Sequence, residues 1–397
     1  MKFFRTHHLE RAKHILVVDI GTATVNAFLV RQNPHRPPEV LSTKRFNLGL
    51  AENPDFLRMW RQVKGALREL ASFLKSTSEG AHVDMVFTVL SSPWYASQTR
   101  LVHMEPKKEF FTTEEILRKL VREEQDLFEK KMQARFALPQ GSLAPLEGDI
   151  MKSALNGYHV RSPLKKKARF LDLAVYVSFV RKEVLEDIFE IFRQAWRQAD
   201  MRVCSGPLML FRALQGALNF EEGFILLDVG GEITEIFLIR KFMIESMATF
   251  LRGGNSLIRR LAARLNMPFA EAAGLLKLQG RQDGKESLKK TLSQALEEGT
   301  KEWAEFFSEA LGEISPNGYL PATLVFLGGG AGIDALKTAT ESERFSRFNA
   351  LGKPFRTVTI LPENLRQNLE GSAIDRKDPQ MTLPLLFVLS ASENYGI

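Results

Sequence analysis

Ile15–Val30 reads ILVVDIGTATVNAFLV, and Phe224–Ile239 reads FILLDVGGEITEIFLI. Laid on each other without a gap, Asp19 falls on Asp228, Gly21 on Gly230, Phe28 on Phe237 and Leu29 on Leu238. Each stretch is an apolar run of strand length, then Asp-x-Gly, then a second apolar run, a pattern that predicts strand–turn–strand. A duplicated unit of this kind predicts two related lobes facing one nucleotide. Asp-x-Gly sets a carboxylate at the mouth of a strand, beside N–H groups free to turn toward an anion. Glycine lets the backbone come close. Asp19 and Asp228 are therefore the candidate catalytic carboxylates and the candidate Mg²⁺ ligands, holding the metal through water. Gly21, Thr22, Gly230 and Gly231 are the candidate phosphate donors, with Ala23, Glu232 and Thr234 completing the two turns.

A third turn lies in LGGGAGI, Leu327–Ile333. Gly328, Gly329 and Gly330 leave room for a flat ring or a sugar, and the helix that follows can point its N-terminus at the ligand. A fourth, Gly253-Gly254-Asn255, follows the strand Met243–Phe250. Each turn alone is weakly specific. Their order, a duplicated hairpin and then strand–GGG–helix, is much more so.

The chain of 397 residues is long enough for a large core and two or more domains. Its 44% hydrophobic and 25% charged residues are ordinary for a globular protein. A single cysteine, Cys204, excludes an internal disulfide and fits a reducing compartment without proving one. Net charge is +7, from 54 basic and 47 acidic residues, which permits an acidic partner or a membrane surface without demanding one and calls for no nucleic acid. No run approaches the roughly 18 apolar residues of a membrane span. The N-terminus, with Phe3, Phe4 and Leu9 among basic groups, reads as a frayed tail or a lipid contact.

The pattern divides the chain into a first lobe with the first phosphate hairpin (1–81), an inserted α+β subdomain (82–200), a hinge helix returning to the first lobe (201–222), and a second lobe with the second hairpin (223–262). A helical outer part (263–320), the glycine-triplet segment (321–374) and a C-terminal helix packing back on the first lobe (375–397) complete it. Within the insertion, Thr112 followed by Glu115 reads as a helix-capping box, and Gln140–Glu147, with its glycine and prolines, as a loop. The basic run Leu164–Arg169, LKKKAR, reads as a solvated turn or as a contact for an acidic partner.

This order of motifs resembles the actin-like ATPase superfamily. Asp19–Thr22 looks like its first phosphate motif, Asp228–Gly231 like the second, and Leu327–Gly332 like the adenosine motif. The segment Leu251–Gly280, with its GGN turn, helix, proline and acidic helix ending in glycine, narrows the likeness to the FtsA-like cell-division proteins, with the PilM pilus-assembly proteins as near relatives. The resemblance implies an α/β, actin-like (ribonuclease-H-like) two-lobed fold with an inserted α+β subdomain. It implies ATP and Mg²⁺ as cofactors, and a nucleotide-regulated assembling adaptor of cell division. The alternatives are a PilM-like cytoplasmic adaptor of type IV pilus assembly and a nucleotide-free scaffold. Implied partners are further copies in a filament or dimer, and a division-ring protein tail or a membrane-protein peptide. The implied place is the cytoplasm, including the inner face of the cell membrane, reached peripherally or through a partner.

Three departures bear on catalysis. Glu232 and Ile233 stand where the family's second phosphate motif continues with a glycine and a threonine. Gly206, in Ser205–Pro207, stands where the family often has a carboxylate. Ala273 and Gly274 stand where it tends to have a glutamate and a lysine. A glutamate beside phosphate oxygens repels them unless it turns away or binds the metal. Slow or absent hydrolysis is the expectation, and no base for a sugar-kinase reaction is evident.

Overall fold

The computed structural model describes residues 12–77, 79–215, 218, 221–277, 286–315 and 318–394. The N-terminal phenylalanines, Gly280 and the last three residues lie outside them. The first lobe opens with β1 (Lys13–Ile20), β2 (Thr24–Gln32) and β3 (Glu39–Asn47), which pair antiparallel in succession. Helix α1 (Phe56–Lys75) follows, started by Asp55, whose carboxylate accepts from the Arg58 N–H at 2.9 Å. Strand β4 (Met85–Leu90) then joins β1 in parallel.

The separate sheet of the inserted subdomain is made by β5 (Tyr95–Met104), β7 (Leu143–Leu155), β8 (Tyr158–His159) and β10 (Leu171–Arg181), in the order β5-β10-β7-β8. Helix α2 (Glu114–Phe136) covers one face, and β6 (Phe110–Phe111) pairs with β9 (Lys167–Ala168) at one end. The chain re-enters the first lobe through α3 (Lys182–Ala195), which packs on α1, and β11 (Asp200–Ser205), which pairs with β4. Helix α4 (Gly206–Ala213) follows.

The second lobe repeats the plan with β12 (Phe224–Val229), β13 (Thr234–Arg240) and β14 (Met243–Phe250), then α5 (Gly254–Leu265), α6 (Phe269–Lys277) and α7 (Glu286–Ile314). Strand β15 (Thr323–Leu327), helix α8 (Asp334–Thr340) and strand β16 (Arg356–Thr359) follow, and α9 (Thr382–Asn394) ends the fold. The sheets run β3-β2-β1-β4-β11 and β14-β13-β12-β15-β16. Both have three antiparallel strands and then two parallel ones, so the duplication read in the hairpins extends to whole sheets.

The unbroken apolar runs have a physical cause. Ile15 and Val17 of β1 face a core shared with α4 and α9, while Leu16, Val18 and Ile20 face α1 and α3. Likewise Phe224 and Leu226 of β12 enter the shared core, and Ile225, Leu227 and Val229 face the helices of the second lobe. A strand covered on both faces needs apolar residues at every position. Helices α4 and α9 therefore sit between the two sheets and join the lobes into one core, where Leu385, Phe387 and Val388 are fully buried.

Three expectations need correction. Gln140–Glu147 is not a loop: β7 starts at Leu143 and carries Pro145. Strand β8 pairs only with Ala154 and Leu155, so β7 is an edge at Pro145, a place where sheets tolerate proline. The cap of α2 is Thr113, one residue after the expected Thr112. Strand β4 and helix α3, assigned to the insertion by the pattern, pack in the first lobe. No helix among the described residues is long and apolar enough to cross a membrane.

Phe387→Ala opens a cavity in the core common to both lobes. It is expected to lower the unfolding free energy by about 3–5 kcal/mol, read as a shift of the urea midpoint without a change of slope.

Candidate functional site between the lobes

The two Asp-x-Gly turns face each other. Gly21 N–H donates to Thr24 O at 3.0 Å, and Gly230 N–H to Ile233 O at 2.9 Å. Both turns thus spend internally a donor that the sequence assigned to phosphate. The turns then meet directly: the backbone N–H of Glu232 donates to Thr22 Oγ1 at 3.0 Å. A Cβ at Gly231 would lie 2.5 Å from the Ala23 Cβ, so only glycine allows this approach. The GGN turn closes the arrangement from behind. Gly254 and Asn255 donate their N–H groups to Gly230 O and Gly231 O at 3.0 and 2.9 Å, and Gly253 packs on the same two carbonyls.

Glu232 occupies the middle. It is 4% exposed and forms a two-pronged ion pair with Arg259 of α5, at 2.6 and 2.8 Å. Asn255 Nδ2 donates to it at 2.7 Å. Asn255 and Arg259 are four residues apart on α5, and therefore share a face. Arg259 also crosses to the first lobe, where its Nε donates to Ala51 O at 2.7 Å. What remains open beside this pair, lined by Thr22, Gly49, Gln62, Asn255 and Arg259 among others, is a cavity of about 10 Å³, no more than one water's worth.

Asp19 and Asp228 do come close enough to act on each other, and each has one oxygen, Oδ1, with no hydrogen-bond partner among the described residues. Asp19 sits across its hairpin from Asn26, which donates to it at 2.9 Å. Asp228 sits across from Glu235. Burial pushes the Asp19 carboxyl up to about 6, opposed by the Asn26 bond and the charge of Arg45. Burial, then the charges of Glu235 and Asp19, raise Asp228 well above the carboxylate range. Glu235 is also raised by burial, against the bonds it accepts across the cleft from the Ser92 hydroxyl at 2.7 Å and Tyr95 OH at 2.5 Å. Gly328, at φ +82°, lies over Asp228: a Cβ there would be 2.1 Å from the carboxylate oxygen. Gly330 packs on Val229, and Gly329 lies near Gln380. Arg45 joins these parts, donating to Asn26, Asp378 and Gln380 at 2.9, 2.8 and 3.1 Å.

Among the expected site residues, the cleft gathers Asp19, Gly21, Thr22, Ala23, Asp228, Gly230, Gly231, Glu232, Gly253, Gly254, Asn255 and Gly328. Thr234 is different. Its hydroxyl donates to Arg252 O and accepts from the Trp303 indole, so it faces the second-lobe core. Glu235, Arg259, Asn26, Arg45 and Tyr95 were not anticipated. A carboxylate does reach the hinge despite Gly206: Glu147, from β7, accepts from the Ser205 N–H at 2.7 Å and from the Ser178 hydroxyl, and burial pushes it up to about 7.

These contacts test ATP–Mg²⁺ against the residues present. The two unpartnered carboxylate oxygens suit a cation. The rest does not suit a polyphosphate: two turn N–H donors are consumed, the loops touch, and a buried glutamate stands between them with its charge met by arginine. Among the described residues no group of three or more His, Cys, Asp or Glu could hold a metal ion. As the two turns stand, they leave a polyphosphate no room between Thr22 and Glu232.

No protein-family model and no curated protein matches the chain. Among solved structures it superposes on a chain of a PilM–PilN type IV pilus biogenesis complex with a TM-score of 0.61 and 17% identity, covering 97% of this chain and 99% of that one. A MamK double helical filament matches with a TM-score of 0.47 and 13% identity over 96% and 99% of the two chains. The ethanolamine utilization protein EutJ from Carboxydothermus hydrogenoformans matches with a TM-score of 0.44 and 16% identity, over 96% and 90%. The first likeness shows the fold. The chain has the two-lobed actin-like ATPase fold, and PilM is a near structural relative.

Two outcomes follow from the geometry. Arg259→Ala leaves Glu232 charged and buried, and is expected to cost about 3–5 kcal/mol, measured by denaturant unfolding at neutral pH. The buried carboxylates hold protons more tightly folded than unfolded, so the stability they contribute is complete below the unfolded value of 3.8 and is lost as pH rises, through about 6 for Asp19. Asp228→Asn should therefore raise the thermal midpoint at pH 8 and leave it unchanged near pH 4. Lower stability at pH 8 would contradict the stated protonation.

Proposed function

We propose that this chain is a nucleotide-independent adaptor built on the actin-like fold, a PilM-like component of type IV pilus assembly that docks a peptide from a membrane protein. The observation that carries the reading is the Glu232–Arg259 pair, with the direct contact of the two phosphate-type loops. In a nucleotide-driven actin-like protein the ligand bridges the lobes and its hydrolysis lets them move. Here protein groups make the bridge, so closure does not depend on a ligand.

The full-length likeness to a chain of the PilM–PilN complex supports the pilus side of this reading. The cell-division adaptor shares the fold and differs in its partner, and no feature of the cleft favours it. With closure set by the protein itself, self-association into a dimer or filament would follow protein concentration alone.

Isothermal titration of the folded chain with ATP and Mg²⁺ should give no saturable heat up to millimolar nucleotide. Fluorescence anisotropy with labelled cytoplasmic peptides of the pilus inner-membrane proteins should give saturable binding, unchanged by ATP. Micromolar ATP binding, or peptide binding that appears only with ATP, would contradict the proposal. Binding of division-protein tails in place of pilus peptides would move the reading to the division adaptor.

A further inference from the structure

One end of the inserted subdomain gathers two basic runs that are far apart in sequence. Lys107 and Lys108 precede β6, and Lys165 and Lys166 precede β9. The pairing Phe110↔Ala168 and Phe111↔Lys167 brings the runs side by side. Backbone bonds hold them there: Lys165 N–H donates to Thr112 O at 2.8 Å, and Thr112 N–H to Lys166 O at 2.9 Å, around a fully buried Thr112. A third turn, Asn156-Gly157, is pinned to the same place, because Asn156 Oδ1 accepts from the Arg169 and Phe170 N–H groups at 2.7 and 3.2 Å.

The charges at this end are not balanced locally. The nearby carboxylates are engaged: Glu109 with Lys167 at 2.5 Å, Asp172 and Glu105 with His103 at 2.7 and 3.6 Å, and Glu114 with Arg118 at 2.6 Å. Lys107, Lys108, Arg161, Lys165 and Lys166 are exposed and make no ion pair among the described residues. Against the first of these loops lies an open cavity of about 510 Å³, lined by Glu105, Pro106, Lys107, Lys108, Glu109 and Arg169. Two aromatic rings stand out beside the lysines, Phe111 at 60% exposure and Tyr158 at 79%.

We propose that this end of the subdomain docks on an anionic lipid surface, with lipid phosphates against Lys107, Lys108, Lys165 and Lys166 and with Phe111 and Tyr158 entering the interface. Unpaired cations at the tip complement negatively charged headgroups. Exposed rings on the same end of the subdomain suit the boundary between headgroups and acyl chains. An acidic peptide would use the lysines but would leave the two rings in water. The contact is made by three short tied turns, so the surface is preformed and docking orders little chain. The inference rests on the tip alone and is independent of the state of the interlobe cleft.

Flotation of the whole chain with vesicles tests it. Binding is expected to vesicles of phosphatidylcholine with phosphatidylglycerol, to be absent with phosphatidylcholine alone, and to weaken as salt rises. Lys165→Ala with Lys166→Ala should weaken it about twenty-five-fold, at roughly fivefold per lysine. Phe111→Ser should weaken it while leaving the salt dependence unchanged. Arg61→Ala with Arg68→Ala, equal charge loss on α1, should have little effect, and thermal melts verify that each variant is folded. Equal binding to both vesicle types, or undiminished binding by the lysine variant, would overturn the proposal. So would capture of poly-glutamate without vesicle binding, or displacement from vesicles by millimolar inorganic phosphate.

Discussion

The pair between Glu232 and Arg259 is the contact on which the rest of the cleft depends. A carboxylate in the second phosphate-type turn would be intolerable in a buried place without a cation, and the guanidinium supplies two parallel bonds to it. Its third contact, Nε to Ala51 O, reaches the opposite lobe. The Glu232 backbone, held by this arrangement, donates to Thr22 across the gap. With that crossing made, Gly231 comes against Ala23, and the space beside the ion pair is about 10 Å³. Glu232 and Arg259 thus join the two phosphate-type turns by protein contacts within one chain.

The same seam explains the unusual charge content of the interior. The two hairpins place Asp19 opposite Asn26 and Asp228 opposite Glu235. The duplication is therefore not chemically symmetric: the first carboxylate has an amide partner, the second a further carboxylate. Glu235 is stabilised from the other lobe by Ser92 and Tyr95, whereas Asp228 keeps an unsatisfied oxygen beneath Gly328. Burial and the neighbouring charges of Glu235 and Asp19 favour the protonated form of Asp228 there. Helices α4 and α9 hold the lobes together from below with an apolar core common to both sheets, so the polar seam is not required to supply cohesion. It sets how the upper parts of the lobes meet.

Much of this was legible in the sequence. The hairpins, the glycine triplet and the two-lobed plan follow from apolar runs of strand length punctuated by Asp-x-Gly. Strands covered on both faces leave an unmistakable continuous signal. Glu235 was also within reach, because the gapless alignment sets it on Asn26, and Arg259 follows Asn255 by one helical turn. Tyr95 and Arg45 were not, since their roles arise only when distant elements meet. The donors of Gly21 and Gly230 were misread for a local reason: tight turns can satisfy their own N–H groups. Thr234 was misread because nearness in sequence to a turn does not say which face of the following strand a side chain takes. Pro145 hid β7, as proline at a sheet edge looks like proline in a loop.

A seam made by the protein itself predicts a fixed spacing between the lobes. Spin labels at Glu69→Cys on α1 and Glu297→Cys on α7, both exposed positions, in a Cys204→Ala background, would report that spacing by pulsed electron resonance. The account predicts one narrow distance distribution, identical with and without ATP–Mg²⁺, that broadens when Arg259 is replaced by alanine. A wild-type distance that shifts when nucleotide is added would contradict it.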